Sequence, residues 1–191
     1  MSAPSKVIGI DPGKSGAIAM LEDGQFKAVY DMPLVVDSDG NKTICAHEVA
    51  CMLRDYRPEL VVIELVNAMP SAPGKDGKRR RMGGQSMFNF GRGFGLVEAA
   101  AAIHQFRIVY VRPAAWMRRC GLINANKDTH RERAADLFPE AACELRLKKH
   151  DGRADALLIA RFGHAHQEEH PGERAPVTIP ERLPCPTSTS C

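Results

Sequence analysis

Four acidic residues occupy positions where a carboxylate is either costly or paired with another acid. Glu64 lies inside the apolar run Leu-Val-Val-Ile-Glu-Leu-Val, where an unpaired buried carboxylate would cost several kcal/mol. Asp11 ends another apolar run directly before Pro-Gly, while Asp151 and Asp155 are four apart at the start of a predicted helix and therefore share one face. Structural explanations stay open, because Asp11 suits an Asx turn, Glu64 could pair with a basic side chain and Asp151 could cap the helix.

As a set, the four acids have the chemistry of a site for a hard cation. Mg²⁺ prefers oxygen ligands and is held by few protein carboxylates. Two such ions about 3.5–4 Å apart can activate a water molecule and stabilise the leaving oxygen in phosphodiester cleavage. The sequence contains no phosphate-binding Walker motif, dinucleotide fingerprint or Ser-His-Asp pattern that competes with this interpretation.

The elements that carry these acids are predicted from hydrophobic periodicity and turn signals. Three N-terminal strands form an antiparallel unit, since Glu22-Asp23-Gly24 is a hairpin signal, and a turn-rich stretch follows at 37–41. The order of elements predicts the α/β class, with a mixed five-stranded sheet flanked by helices. The predicted strands are 6–11, 16–22, 25–31, 60–66 and 107–111, and the predicted helices are 44–56, 86–104, 113–119, 127–138 and 151–163, the last ended by Gly163.

The length of 191 residues suits one domain, and the hydrophobic fraction of 44% is enough for a core. We expect a nuclease domain at 1–165 and a flexible tail rich in Pro, Ser and Thr at 166–191. The chain has no apolar run of membrane-spanning length and no apolar secretory region at 1–6. Its six cysteines fit neither a zinc site nor a disulfide framework, which favours reduced thiols and a cytoplasmic location.

The basic residues are concentrated in one segment, although the net charge is only +3. Between Lys75 and Arg92, six Lys or Arg residues face one acid, Asp76. Such a block is either a solvated loop or the electrostatic footprint of a nucleic-acid contact, and charge alone does not decide between them.

The acidic motifs resemble those of RuvC-type Holliday junction resolvases, in the form found in phages. The resemblance rests on I-G-I-D-P-G at 8–13, V-V-I-E-L-V at 61–66 and H-D-G-R-A-D-A-L-L-I-A at 150–160. It extends to G-F-G-L-V-E-A-A at 93–100, V-R-P-x-x-W at 111–116 and K-x-x-x-R-x-x-A-x-x-L-F-P at 127–139. The resemblance spans roughly residues 6–163, which is most of the chain.

This resemblance implies an RNase H-like fold and two Mg²⁺ ions, with Mn²⁺ as a substitute, held by Asp11, Glu64, Asp151 and Asp155. One position departs from the family pattern. Cellular members space the last two acidic positions three apart, whereas here Gly152 stands three before Asp155. Either Asp151 or His150 could then supply the missing ligand.

The resemblance also implies the substrate, which is branched DNA and above all four-way junctions, cut by two symmetric nicks from a homodimer. The Ala-rich helix near 95–104 could form the dimer face or belong to the core. Phe88 and Phe90 could stack on bases or pack in the core. A phage protein would act in the cytoplasm of the bacterial host. The predicted DNA contacts are Lys14, Lys75, Lys78, Arg79, Arg80, Arg81, Phe88, Phe90, Arg92, Arg118, Arg119 and Lys127.

Three other functions compete with this one. The same acids could serve a broader RNase H-like nuclease that acts on branched DNA or on RNA–DNA hybrids. A non-catalytic junction-binding protein is a second alternative, against which the intact acids argue. An actin-like ATPase needs two domains of this kind to enclose its nucleotide, and the chain has room for one.

Overall fold

The computed structural model describes residues 5–36, 38, 40–65 and 83–169. Its centre is a five-stranded sheet formed by β1 (Lys6–Asp11), β2 (Ala17–Glu22), β3 (Gln25–Asp31), β6 (Leu60–Glu64) and β7 (Arg107–Val111). The order of the strands is β3-β2-β1-β6-β7. The pairs β1–β2 and β2–β3 are antiparallel, and the pairs β1–β6 and β6–β7 are parallel. This confirms the predicted mixed sheet.

Helices cover both faces of the sheet and give two apolar cores. The helices are α1 (Ala46–Tyr56), α2 (Gly84–Ala102), α3 (Pro113–Cys120), α4 (Lys127–Leu137) and α5 (Asp151–Glu169). On one face, α5 packs against β1, β2 and β6, with α3 and α4 beside it. On the other face, α1 and α2 pack together over Ile8, Ile10 and Ile63. None of the helices in the described part of the chain is long and apolar enough to cross a membrane.

The parallel pairing of β1 with β6 brings two of the predicted acids to one edge. Ile10 of β1 is in register with Ile63 of β6. Asp11 and Glu64 are the next residues, and both end their strands. Because parallel strands have their carboxyl ends at the same edge of a sheet, these two carboxylates lie side by side.

Glycines allow α5 to approach the sheet with its backbone. A Cβ atom at Gly9 would lie 2.3 Å from the backbone nitrogen of Ala160, and one at Gly152 would lie 2.2 Å from the carbonyl oxygen of Ser15. No L side chain fits at either contact without a shift of the backbone. The first turn of α5 therefore rests on the loop between β1 and β2, and this packing brings Asp155 near Asp11.

The prediction that Gly163 ends the last helix is wrong, because α5 continues to Glu169. Gly163 is buried, and a Cβ atom there would lie 2.2 Å from the side chain of Val62. Gly163 thus allows α5 to pack closely against the sheet, and it does not end the helix. The domain boundary at 165 stays a prediction, and the expected tail lies outside the described residues from position 170 onward.

The sequence did not predict a small hairpin between β3 and α1. Strands β4 (Leu34–Val36) and β5 (Lys42–Ile44) form a separate two-stranded sheet around the turn-rich stretch. Two short 3₁₀ helices, Pro139–Leu145 and Lys148–His150, also connect α4 to α5 where no element was expected.

The contact between β1 and α5 generates a stability prediction. Gly9→Ala introduces a methyl group into the backbone of α5, and we expect it to lower the free energy of unfolding by about 1–3 kcal/mol. Gly91→Ala is the matched control, since its Cβ atom meets nothing within 4 Å on the exposed face of α2, and it should stabilise the protein by up to about 1 kcal/mol. Urea denaturation compares the two midpoints, and equal midpoints would contradict the packing described here.

Candidate active site

Three carboxylates meet at the edge where β1 and β6 end. Burial, followed by the negative charges of Glu64 and Asp155, raises the pKa of Asp11 to about 7. The backbone N–H of Gly13 donates to Oδ1 of Asp11 at 3.3 Å and partly opposes this rise. Burial also raises the pKa of Glu64, and Asp155 adds to the effect. The site therefore concentrates more negative charge than its surroundings neutralise.

Lys127 supplies a cation to this cluster. Its Nζ, at the start of α4, donates to Oδ2 of Asp155. Burial works against the charge of the ammonium group, but attraction to Asp155, Asp11 and Asp151 outweighs it, so the pKa of Lys127 is raised. One positive charge therefore interacts with several carboxylates, which leaves the cluster net negative.

Two buried aromatic side chains form hydrogen bonds with the carboxylates of Glu64 and Asp155. Trp116 of α3 donates through Nε1 to Oε1 of Glu64 at 2.8 Å. His130 of α4 lies with Nδ1 2.7 Å from Oδ1 of Asp155. The two rings contact each other edge to face, with centroids 5.6 Å apart. Glu64 and Asp155 are thus each fixed by a donor, and the two donors are packed against each other.

The state of the His130 ring follows from its surroundings. An ionised carboxylate only accepts hydrogen bonds. Nδ1 of His130 therefore carries a hydrogen atom and donates the hydrogen bond to Asp155. Nε2 is buried and has no hydrogen-bond partner among the described residues. With a 4% exposed side chain between Trp116 and Asp155, His130 is part of the fixed framework of the site.

Sequence reasoning did not assign a role to Trp116 or His130. Trp116 was part of a quoted motif without a function, and His130 carried no expectation. A signal existed in α4, where Lys127, His130 and Ala134 share a helix face. The contacts of Lys127 and His130 with Asp155 depend on how α4 docks against α5, which no local pattern reveals.

Asp151 and His150 differ in their relation to the cluster. Asp151 begins α5, is half-buried, and its charge acts on Lys127. His150 is buried in a 3₁₀ helix, where Nδ1 accepts from the backbone N–H of Leu147 at 3.5 Å. Burial and the nearby Arg153 lower the pKa of His150. Of these two residues, Asp151 is therefore the one that interacts electrostatically with Lys127, the cation of the acid cluster.

The structure separates the residues expected to contact DNA into different regions. Lys14 is exposed in the loop after Asp11, and the start of α2 carries the exposed Phe88 and Arg92 with the half-buried Phe90. Arg118 is exposed and Arg119 pairs with Glu169 at the far end of α5, roughly 27 Å along the helix from Asp151. Lys75, Lys78, Arg79, Arg80 and Arg81 lie outside the described residues.

The donor set fits a hard divalent cation, although its side chains are engaged with protein partners. Oxygen donors with excess negative charge are the ligands that Mg²⁺ prefers. Within residues 5–36, 38, 40–65 and 83–169, no three His, Cys, Asp or Glu side chains form a ready-made metal site. Asp155 instead contacts Lys127 and His130, and Glu64 contacts Trp116. Binding of an ion thus requires rearrangement of at least the Lys127 ammonium group.

Comparison with solved structures shows which known fold this chain shares. The sequence matches no protein-family model and no curated protein. The structure is similar to Thermus thermophilus RuvC in complex with a Holliday junction substrate, with a TM-score of 0.54, 16% identity, and coverage of 89% of this chain and 98% of that one. A second T. thermophilus RuvC structure gives a TM-score of 0.51, 18% identity, and coverage of 86% and 95%. The chain therefore has a RuvC-like fold.

Proposed function

We propose that this protein is a metal-dependent endonuclease that cuts four-way DNA junctions. The observation that carries the proposal is the meeting of Asp11, Glu64 and Asp155 at one sheet edge with uncompensated negative charge. The RuvC-like fold supports it, and one of the similar structures holds a Holliday junction substrate.

In this proposal, Asp11, Glu64, Asp151 and Asp155 hold two Mg²⁺ ions, and Mn²⁺ substitutes for them. When bound, such ions activate a water molecule and stabilise the leaving oxygen of a phosphodiester. The burial that raises the pKa of Asp11 and Glu64 also makes their carboxylates costly to leave uncompensated.

The chain's own cations and donors have separate roles. Lys127 neutralises Asp155 in the metal-free protein, and its half-exposed side chain is free to turn toward a DNA phosphate once Asp155 binds an ion. Trp116 and His130 keep Glu64 and Asp155 in position, because both donors are buried and packed against each other.

Two symmetric nicks require a two-fold assembly, so we propose a homodimer that acts in the cytoplasm. Each subunit then cleaves one strand of the junction.

The function is tested by cleavage of a mobile four-way junction in Mg²⁺, in Mn²⁺ and in EDTA. We expect paired symmetric nicks that require metal. Asp11→Asn should reduce the rate roughly 100-fold or more while junction binding in EDTA persists, because it removes several kcal/mol of transition-state stabilisation. Asp136→Asn, an exposed acid on α4, is the control and should cut normally.

Other results of the same assay have distinct meanings. Equal cutting of junctions, flaps and linear duplex would replace the proposal with a general branched-DNA nuclease. Cutting of RNA–DNA hybrids in preference to junctions would indicate a different substrate. Binding without cleavage in either metal would leave a junction-binding protein.

The charge of Asp11 generates a prediction about stability without metal. The pKa of Asp11 rises from its ordinary 3.8 to about 7 on folding, so its protonation favours the folded state. That contribution is complete below pH 4 and is lost as the pH rises through 7. Asp11→Asn mimics the neutral acid, so its advantage over wild type should grow between pH 4 and 7 and reach on the order of 4 kcal/mol at pH 8.

Chemical denaturation at pH 5 and pH 8 in EDTA measures this difference in free energy of unfolding. Addition of Mg²⁺ at pH 8 should narrow the gap, because the ion compensates the wild-type carboxylates. A variant that is less stable than wild type at both pH values would contradict the electrostatic account.

The two aromatic donors generate a prediction about metal affinity. Trp116→Phe and His130→Phe keep a ring but remove the hydrogen bond to Glu64 or Asp155, and each should weaken metal binding about 10–100-fold. His130→Asn keeps an amide donor and should recover part of the loss. The Mn²⁺ concentration that gives half of the maximal thermal stabilisation measures affinity without relying on activity.

A purely structural role would lower the melting temperature of the metal-free protein without moving this concentration. In that case His130→Asn would behave like His130→Phe, and the positioning role would be disproved.

A further inference from the structure

His47 and Cys51 form a close side-chain pair on the surface of α1. The two residues are four apart, so they lie one above the other on the same face of the helix. Sγ of Cys51 lies 3.6 Å from Nε2 of His47. His47 is exposed and Cys51 is a half-buried free thiol, so the pair is open to solvent.

The separation of these two atoms matches the geometry of a tetrahedral zinc site. Zinc bonds to thiolate sulfur at about 2.3 Å and to imidazole nitrogen at about 2.0–2.1 Å. At the tetrahedral angle, such bond lengths place the sulfur and the nitrogen about 3.5–3.6 Å apart. Sγ of Cys51 and Nε2 of His47 are therefore already at the distance that one shared ion requires, without a change of the helix backbone.

The spacing of the pair along the helix is also one at which zinc is bound. In the motif H-E-x-x-H, two histidines four apart on one helix face bind Zn²⁺. The sequence H-E-V-A-C at 47–51 has the same spacing, with a thiol in place of the second imidazole. Cysteine spacing alone did not indicate this site, because its other ligand is a histidine.

The donor atoms distinguish this pair from the acid cluster. Thiolate and imidazole ligands favour Zn²⁺, whereas Mg²⁺ prefers oxygen. The acid cluster offers carboxylates at the edge of the sheet and no sulfur. The two sites therefore select different ions, and the inference about α1 does not depend on the proposed nuclease function.

The charges along α1 permit a cation to bind. Glu48 and Asp55 are exposed acids of the helix, and Arg54 and Arg57 are the basic residues at its end. Arg54 is engaged by Asp55, with Nε 2.8 Å from Oδ1. The two acids thus balance the two arginines, so the surface of the helix as a whole does not repel a cation.

We propose that His47 and Cys51 bind one Zn²⁺ ion on the surface of α1, with water molecules in its remaining positions. Cys51 supplies a thiolate after its proton leaves to solvent, and His47 supplies the lone pair of Nε2. The ion links two successive turns of α1. Because the unfolded chain does not hold the two ligands at this distance, binding favours the folded protein.

Cobalt spectroscopy tests this site in the reduced, full-length protein. Co²⁺ in place of Zn²⁺ gives a sulfur-to-cobalt charge-transfer band only where a thiolate is a ligand, so carboxylates alone cannot produce it. Excess Mg²⁺ is present to compete for the acid cluster. Cys51→Ser should abolish the band, and His47→Gln should weaken Co²⁺ binding about 10-fold or more.

Cys143→Ser is the matched control, because Cys143 is an exposed thiol on the 3₁₀ helix Pro139–Leu145 and has a proline four positions before it. It should keep the band, and so should the double variant Cys185→Ser/Cys191→Ser, whose positions lie outside the described residues. Zn²⁺ should displace Co²⁺ and raise the melting temperature of wild type, but not that of His47→Gln.

Each outcome decides for or against the pair. A band that persists in Cys51→Ser would assign the thiolate ligand to another residue and overturn the proposal. Unchanged Co²⁺ affinity in His47→Gln would also overturn it, because the cysteine would then bind without the imidazole. Loss in both variants, with the circular dichroism spectrum of wild type retained, would support it. Junction cleavage in Mg²⁺ is measured separately, so the zinc site and the nuclease can each fail without the other.

Discussion

Repulsion among carboxylates at the shared edge of β1 and β6 is the constraint on which the rest of the site depends. Asp11 and Glu64 end neighbouring parallel strands, so the register of the sheet fixes their separation. Helix α5 then adds Asp155 to the same edge, and burial strengthens the repulsion until the pKa of Asp11 reaches about 7. The contacts of Lys127, Trp116 and His130 each bring a positive charge or a donor to these acids.

The backbone enforces this arrangement, because glycines remove the atoms that would keep the elements apart. A Cβ atom at Gly16 would lie 2.1 Å from the carbonyl oxygen of Asp11, and one at Gly9 or Gly152 would overlap the backbone of a neighbouring element. A shift of α5 away from β1 would relieve the repulsion only by opening the buried apolar contact between these two elements. Relief must come from protonation, from a neighbouring donor or from a bound cation, which is why the site combines unusual pKa values with buried hydrogen bonds.

The sequence predicted the parts of the site that depend on local patterns. Asp11 was chosen because it ends an apolar strand, Glu64 because it lies inside another, and Asp151 and Asp155 because of their helical spacing. The sheet could therefore be predicted, and the four acids stay candidates. Trp116 and His130 were not, because their contacts join α3 and α4 to residues 52 and 25 positions away. The β4–β5 hairpin escaped prediction because its strands have three residues each, too short for a period-two pattern. The predicted end of the last helix at Gly163 was wrong, because in sequence a glycine that allows close packing cannot be told from one that ends a helix.

The site thus has a fixed half and a movable half. Trp116 and His130 are buried and pack on each other, so the groups that hydrogen-bond Glu64 and Asp155 have little room to move. Lys127 is different, because more than half of its side chain is exposed and an ammonium group on a flexible stem can leave Asp155 without breaking the packing. An arginine at this position would form a planar, two-pronged contact that is harder to displace. In the proposed function, a lysine therefore suits this position, because a protein cation there would have to leave Asp155 when a metal ion binds.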